Sequence, residues 1–428
     1  MAKIALHWQI LIAIVLGCAF GFYLPGMVGY VSWMGDLFLR LLKMVVTPLI
    51  FCSLVAAITG IRGGGKLGRL GIKTLALYLL TTLLAILTGL FLVNLIRPGT
   101  KIDLTGESEL AAPELQSKSL GETLMASIPE NPFADLAAGS MLPVVVFAII
   151  FGVFLARSRQ DANWDIALSD DPHTLPGQTV FSSVETLIRC FEGGFDVMMK
   201  MTIFVLAFAP LGVFGLISAN IARFSTENDA FVQFGQGLGL HFLVVFSGLV
   251  FHLMVTLSLC VRFFASCNPW KHLANMGAVI LTAFSTASSN GTLPLTIRDV
   301  VEKDGVSPET AGFVLPLGAT VNMNGTALYE CAVVLFIAQA YGIELTLFQQ
   351  FVTVLMVLLT AIGTAGIPMA SLVMIVIVLT AVGLPPEGIG LVIAVDRPLD
   401  MCRTVVNVYG DACCAVIVAK SEGETLSC

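Results

Sequence analysis

Residues 345–386 contain no Asp, Glu, Lys, Arg or His, and the run is roughly twice as long as one membrane span needs. Near its middle stands Gly363-Thr364-Ala365-Gly366-Ile367-Pro368, a string rich in helix breakers. Backbone that leaves a helix inside hydrocarbon must be buried in protein or line a cavity, because its N–H and C=O groups find no water there. The run therefore reads as a re-entrant hairpin that dips into the membrane and returns to the same side. Residues 273–297 repeat the pattern around Ser285-Thr286-Ala287-Ser288-Ser289-Asn290-Gly291-Thr292. Between the two, residues 311–329 carry their own break at Asn322-Met323-Asn324-Gly325-Thr326. Paired interrupted segments of this kind point to a transport site near the bilayer midplane.

Composition agrees with membrane residence. Of 428 residues 57% are hydrophobic and 12% charged, with mean hydropathy +0.91, whereas a soluble domain carries about 25% charged residues. Further apolar runs occupy residues 4–35 (the first span), 41–61, 74–96, 136–156, 201–222 and 231–261. The expected fold is an all-α polytopic membrane protein of eight transmembrane helices plus two re-entrant hairpins. The link 61–73 holds Arg62, Lys66, Arg69 and Lys73 without an acid, so it belongs in the cytoplasm. The acid-rich connection after Ile96 belongs outside, Arg157 and Arg159 return inside, and both termini are cytoplasmic. Residues 160–179 read as a polar cytoplasmic connector.

Several function classes are set aside. The net charge of −7 and the lack of basic clusters exclude a nucleic-acid partner. The ten cysteines are scattered, without a CxxC pair, and read as reduced packing residues rather than a disulfide framework or metal site. The five histidines lack ligand spacing. The string from Gly60 to Lys66 fits GxxxxGK, but Leu67 replaces the hydroxyl residue that Mg²⁺ needs. Asn290-Gly291-Thr292 and Asn324-Gly325-Thr326 are formal glycosylation sequons at membrane depth. No HExxH or nucleophile elbow is present, so the chain reads as no enzyme.

The last span holds the most chemistry. Asp400, Arg403, Asn407 and Asp411 step by three, four and four, which sets them on one helical face. Ionisable groups in a bilayer cost several kcal/mol each, so this face should line a polar cavity. An arginine forks onto a carboxylate, an aspartate accepts an ammonium, and a second aspartate with an asparagine offers hard ligands for a cation. An internal salt-bridge ladder that packs helices is the alternative. At the broken helix, Gly318, Thr320, Asn322, Asn324 and Thr326 supply carbonyls, hydroxyls and amides; they either coordinate Na⁺ or form a packed kink. Glu330 is either a proton carrier or a structural carboxyl facing the cavity.

These strings resemble the glutamate transporter family, the dicarboxylate/amino acid:cation symporters. The matching strings are Ser288-Ser289-Asn290-Gly291-Thr292-Leu293-Pro294, residues 315–323, Gly363 to Pro368 and Asp400 to Asp411, with Ile128-Pro129-Glu130-Asn131-Pro132-Phe133 upstream. The resemblance implies a homotrimer, in which a moving transport domain slides against a scaffold by an elevator motion. Residues 1–72 would be mainly scaffold, and residues 73–135 the third span with an extracellular loop. Residues 136–225 would again be mainly scaffold, with residues 226–428 the transport core. It further implies that Arg403 holds the substrate's side-chain carboxylate and Asp400 its ammonium, with Asn407, Ser289, Thr326, Thr404 and the Gly366/Ile367 backbone completing the pocket. Gly318, Asn322, Asn407 and Asp411 match one sodium site. Thr320, Ile362 and Thr364 match a second, and Tyr78, Thr81, Thr82 and Asn322 a third.

The chain departs from the family at four positions. Asn324 stands where an aspartate is usual and removes a carboxylate from the third sodium site. Ala361 replaces a serine of archaeal members. Ala287 replaces an arginine that archaeal members carry in the first hairpin, and Met401 occupies the position where animal members place it. Glu330 matches the proton-carrying glutamate of animal members. The expected activity is uptake of L-glutamate or L-aspartate across the inner or plasma membrane, coupled to Na⁺ and H⁺, with K⁺ counter-transport left open. A C4-dicarboxylate or neutral amino acid symporter of the same fold is the alternative.

Overall fold

The computed structural model describes residues 6–60, 66–102, 125, 128–138, 140–168, 183–224, 228–363 and 370–428. Among them there is no strand, as expected where each apolar segment must satisfy its own backbone. The first helices are α1 (Leu6–Tyr23), α2 (Ser32–Gly60) and α3 (Lys66–Ile96). Next come α4 (Pro132–Ala138), α5 (Met141–Leu168), α6 (Ser183–Leu206) and α7 (Ala209–Phe224). Helix α8 (Asn228–Phe251) continues through wider π turns to Ala265. The second half holds α9 (Pro269–Asn275), α10 (Gly277–Thr286), α11 (Ser289–Asp304), α12 (Pro308–Val321) and α13 (Asn324–Ala340). Helices α14 (Leu347–Gly363), α15 (Ala370–Ala381) and α16 (Ile393–Ser421) complete it.

Five helices among the described residues are long and apolar enough to cross a membrane, or six if the bent pair α6 and α7 is one span. That pair bends by 54°, so the run at 201–222, read from sequence as a continuous span, is broken between Leu206 and Ala209. The first span is also shorter than expected. Helix α1 stops at Tyr23, and Pro25–Tyr30 forms a 3₁₀ turn that delivers the chain into α2. Both boundaries escape a hydropathy reading because an apolar turn and an apolar helix look alike.

Helix α1 lies along α7, and α2 packs against α5, α6 and α7. Helix α3 lies along α13, while α16 packs against α10, α11, α12 and α13. Every residue of α13 except Gln339 is buried, so this helix is the centre of the second-half core. On the outside Val15, Phe91, Phe154, Phe204 and Phe263 are more than half exposed, an apolar surface suited to lipid.

The breaks are tighter than the sequence suggests. Between α10 and α11 only Ala287 and Ser288 leave the helix, with Ala287 in the left-handed region at φ 48°. Ser288 Oγ accepts the Gly291 N–H at 3.1 Å and caps α11. Between α12 and α13 only Asn322 and Met323 unwind. The Gly/Ile/Pro tip of the second hairpin, with Thr364, Gly366 and Ile367, lies outside the described residues.

The reading of the cysteines needs one correction. Cys267 and Cys428 form a disulfide, 161 residues apart in sequence. No spacing rule finds this pair. The chain after α16 folds back beside the loop preceding α9, where Ser427 N–H donates to the Asp304 carbonyl at 2.8 Å and Lys271 Nζ to the Ser427 carbonyl. Glu424 accepts from Ser307 N–H at 2.7 Å and from Thr310 Oγ1 at 2.6 Å, covering the N-terminus of α12.

Candidate functional site

Helix α16 presents its ionic face to the core, and Arg403 is the largest completely buried side chain among the described residues. Its Nη2 donates to Asp400 Oδ1 at 2.9 Å and to Asp396 Oδ1 at 3.1 Å. The guanidinium plane lies 3.9 Å from the centroid of the Tyr329 ring, an arrangement that attracts a cation to an aromatic face. Nε and Nη1 are buried without a hydrogen-bond partner among the described residues. An arginine held by one nitrogen and a ring, with two donors uncommitted, can fork onto an incoming carboxylate. Asp400 Oδ2 accepts a second guanidinium, Nη1 of Arg397, at 3.2 Å.

Asn407, one turn further along, reads the unwound segment. Its Oδ1 accepts Gly325 N–H at 2.8 Å and Thr326 N–H at 3.3 Å, and its Nδ2 donates to Thr326 Oγ1 at 3.0 Å and Met323 Sδ at 3.3 Å. It thus satisfies donors that the start of α13 leaves without an intrahelical partner. Close approach here needs glycine: a Cβ on Gly325 would stand 2.6 Å from the Arg403 carbonyl oxygen. Thr404 Oγ1 donates back to the Asp400 carbonyl at 2.8 Å, and Ser289 is buried at the start of α11.

Beside this pocket Gly318, Asn322 and Asp411 of the first expected sodium site lie together, while Asn407 Oδ1 is turned to Gly325 and Thr326. Asn322 Nδ2 donates to Asp411 Oδ1 at 2.8 Å, and a Cβ on Gly318 would lie 2.5 Å from that oxygen and 2.7 Å from the Tyr78 hydroxyl. Thr81 Oγ1 donates to Asn322 Oδ1 at 3.4 Å and Thr82 Oγ1 to Asn324 Oδ1 at 2.7 Å, which brings the α3 residues to the broken helix. Tyr78 OH donates to the Val314 carbonyl at 2.7 Å. Of the remaining set, Thr320 is half-buried with its hydroxyl donating to the Leu317 carbonyl at 3.0 Å, and Ile362 is half-buried on α14. Among the described residues no three His, Cys, Asp or Glu side chains gather as a metal cluster. Amides, hydroxyls and carbonyls with Asp411 suit a monovalent cation better than a divalent one, which collects carboxylates.

Glu330 is fully buried, and Thr360 Oγ1 on α14 donates to its Oε2 at 3.3 Å. Oε1 has none among the described residues. Four further residues enter the site without a role assigned from sequence: Asp396, Arg397, Met323 and Tyr329. Asp396 stands seven residues before Arg403, two helical turns on the same face, and that spacing would have found it. Tyr329 and Met323 carry no ionic signal and emerge only from packing.

The sequence model of the sodium:dicarboxylate symporter family matches residues 6–421. Among curated relatives, a proton/sodium-glutamate symport protein of Bacillus caldotenax is 32% identical, covering 99% of this chain and 96% of the relative. A proton/glutamate-aspartate symporter of Escherichia coli is 34% identical over 98% of this chain and 93% of its own. Human excitatory amino acid transporter 5 is 32% identical over 95% of this chain and 80% of its own.

Proposed function

We propose, for a chain that belongs to the sodium:dicarboxylate symporter family, that it is a secondary active symporter taking up L-glutamate or L-aspartate together with cations. The carrying observation is Arg403, wholly buried, with Nε and Nη1 uncommitted among the described residues, next to Asp400. A guanidinium fork and a carboxylate side by side complement a substrate with both a carboxylate and an ammonium. A C4-dicarboxylate has no ammonium for Asp400, and a neutral amino acid brings no side-chain carboxylate for Arg403. Na⁺ is the coupling ion, held by Gly318, Asn322, Asn407 and Asp411, and H⁺ is carried by Glu330.

Transport proceeds by an elevator motion of α3, α8 and α10–α16 against the helices around α2, within a homotrimer of eight-span subunits whose termini face the cytoplasm. The interrupted helix pairs α10–α11 and α12–α13 beside the buried ionic face of α16 support this reading, because paired broken helices at a buried site fit alternating access.

Uptake of radiolabelled amino acids into proteoliposomes, with Na⁺, H⁺ and K⁺ gradients imposed one at a time, tests the proposal. Saturable, stereoselective accumulation of acidic amino acid against its gradient, driven by Na⁺, is the expected result. Ion flux without accumulation would make the protein a channel.

A further inference from the structure

The chain beyond α16 closes over the base of the α10–α11 hairpin, and the closure is covalent. Cys428 is bonded to Cys267 in the loop before α9. Ser427 N–H donates to the Asp304 carbonyl at 2.8 Å, and Lys271 Nζ donates to the Ser427 carbonyl. Left-handed Gly305 lets Ser427 seat on the turn between α11 and α12, where a Cβ would stand 2.8 Å from Ser427 Oγ. Both feet of the hairpin meet at Asp304, whose side chain accepts Asn275 Nδ2 at 2.8 Å and pairs with His272 Nδ1 at 2.8 Å. The disulfide thus staples the foot that leads into α10 to the foot that ends α11, on the hairpin that carries Ser289 at its break. The hydrogen bonds of Ser427 are individually weak beside that bond.

We propose that Cys267 and Cys428 form a reversible modification site for low-molecular-weight thiols, through which the redox state of the cytoplasm sets the freedom of the α10–α11 hairpin. The inference rests on the symport reading and the cytoplasmic topology proposed above, which set this end of the molecule in a compartment that keeps thiols reduced. A disulfide in such a compartment is usually transient and redox-sensing. The two cysteines differ in access: Cys428 is partly exposed and Cys267 2% exposed. A thiolate attacks Cys428 Sγ, the S–S bond breaks, and Cys267 leaves as a thiolate that takes up a proton. A second thiol resolves the mixed disulfide at Cys428. Two electrons and two protons have then passed from two thiols to the two cysteines, and the reagent leaves as its own disulfide. The reagent's disulfide reverses the steps. Oxidised, the staple holds the feet of the hairpin together and slows its movement; reduced, it releases them. The other eight cysteines are free, so removing Cys428 alone removes the staple.

Full chains of wild type and Cys428→Ser, reconstituted in proteoliposomes with reduced or oxidised dithiothreitol, test the inference. Maleimide mass-tagging reads the state of Cys267 and Cys428, hydrogen exchange reads residues 273–304, and initial rates of L-aspartate uptake read transport. Reduction of wild type should expose both thiols, speed exchange at the feet of the hairpin and raise Vmax about fivefold, the lower end of couplings between two sites. Cys428→Ser should match reduced wild type under both conditions. Exchange and uptake that ignore reduction would make the bond a static staple and overturn the proposal. A response that persists in Cys428→Ser would overturn it too, by assigning the effect to another cysteine. A maleimide that cannot the membrane pass should reach reduced Cys428 only in inside-out vesicles; labelling in right-side-out vesicles would overturn the cytoplasmic placement and the redox role with it. Wild type that accumulates no acidic amino acid in either state defeats the symport reading alone, because exchange still reports whether the bond restrains the hairpin.

Discussion

Asn322 donates its side-chain amide to Asp411 across 2.8 Å, and both side chains are buried between the unwound segment and α16. The contact ties the break in α12–α13 to the only helix that also carries Arg403, so an ion bound at one would be felt at the other. Asp411→Asn should therefore raise the Na⁺ concentration for half-maximal uptake by about 10- to 100-fold, the scale of a lost interaction with a charged group. Gly318→Ala should act in the same direction, because its Cβ would stand 2.5 Å from Asp411 Oδ1 and must displace it. Sodium titrations that superimpose on wild type for both variants would remove Asp411 from the coupling site.

Asn324 offers the converse test. Thr82 Oγ1 donates to its Oδ1 at 2.7 Å, while its Nδ2 is buried without a hydrogen-bond partner among the described residues. Asn324→Asp keeps the acceptor for Thr82 and replaces an unsatisfied donor with a negative charge. The variant should bind Na⁺ about tenfold more tightly, by the same scale, or show a steeper sodium dependence of uptake. Identical half-saturation and Hill coefficient would count against a third site built from Tyr78, Thr81, Thr82 and Asn322 with residue 324.

How much of this was legible in the sequence differs between elements. The comb of Asp400, Arg403, Asn407 and Asp411 was visible because a helix repeats its faces every three to four residues, and charge in an apolar context stands out. The breaks at Ala287 and Asn322 were visible as runs of Ser, Thr, Asn and Gly, although their true width of two residues was not. Tyr329 beneath Arg403 and Thr360 beside Glu330 were hidden, since an uncharged residue on a buried helix carries no signal of which neighbour it meets. The Cys267–Cys428 bond was hidden for a different reason. It depends on where the chain after α16 turns, which is a tertiary fact.

Glu330 is placed for proton exchange by its surroundings. It is itself fully buried on α13, one residue from the ring that carries Arg403, and reaches α14 through Thr360. Glu330→Gln keeps the shape and an acceptor for Thr360 but cannot take up and release a proton. The variant should lose the pH dependence of uptake and the acidification that accompanies transport. Proton flux at the wild-type rate in this variant would refute the role and leave Glu330 a structural link between α13 and α14.

Beyond α16, Glu422 accepts from Lys73 Nζ at 2.6 Å and from Arg69 Nη2 at 2.7 Å, pinning the end of the last helix to the start of α3. These two hydrogen bonds, Lys73 first and Arg69 second, hold its carboxyl down from the ordinary 4.5 to about 2. A carboxyl with a depressed value stabilises the fold only while ionised. Its contribution is therefore complete above the ordinary value and is lost as pH falls from there through about 2. Glu422→Gln should lower the Tm of the detergent-solubilised protein by about 1–2 °C at pH 7, modest because the pair lies near the surface. Below pH 4.5 the gap between variant and wild type should narrow steadily. A gap that stays constant from pH 7 to pH 3 would mean that the ion pairs with Lys73 and Arg69 do not hold the two helices together.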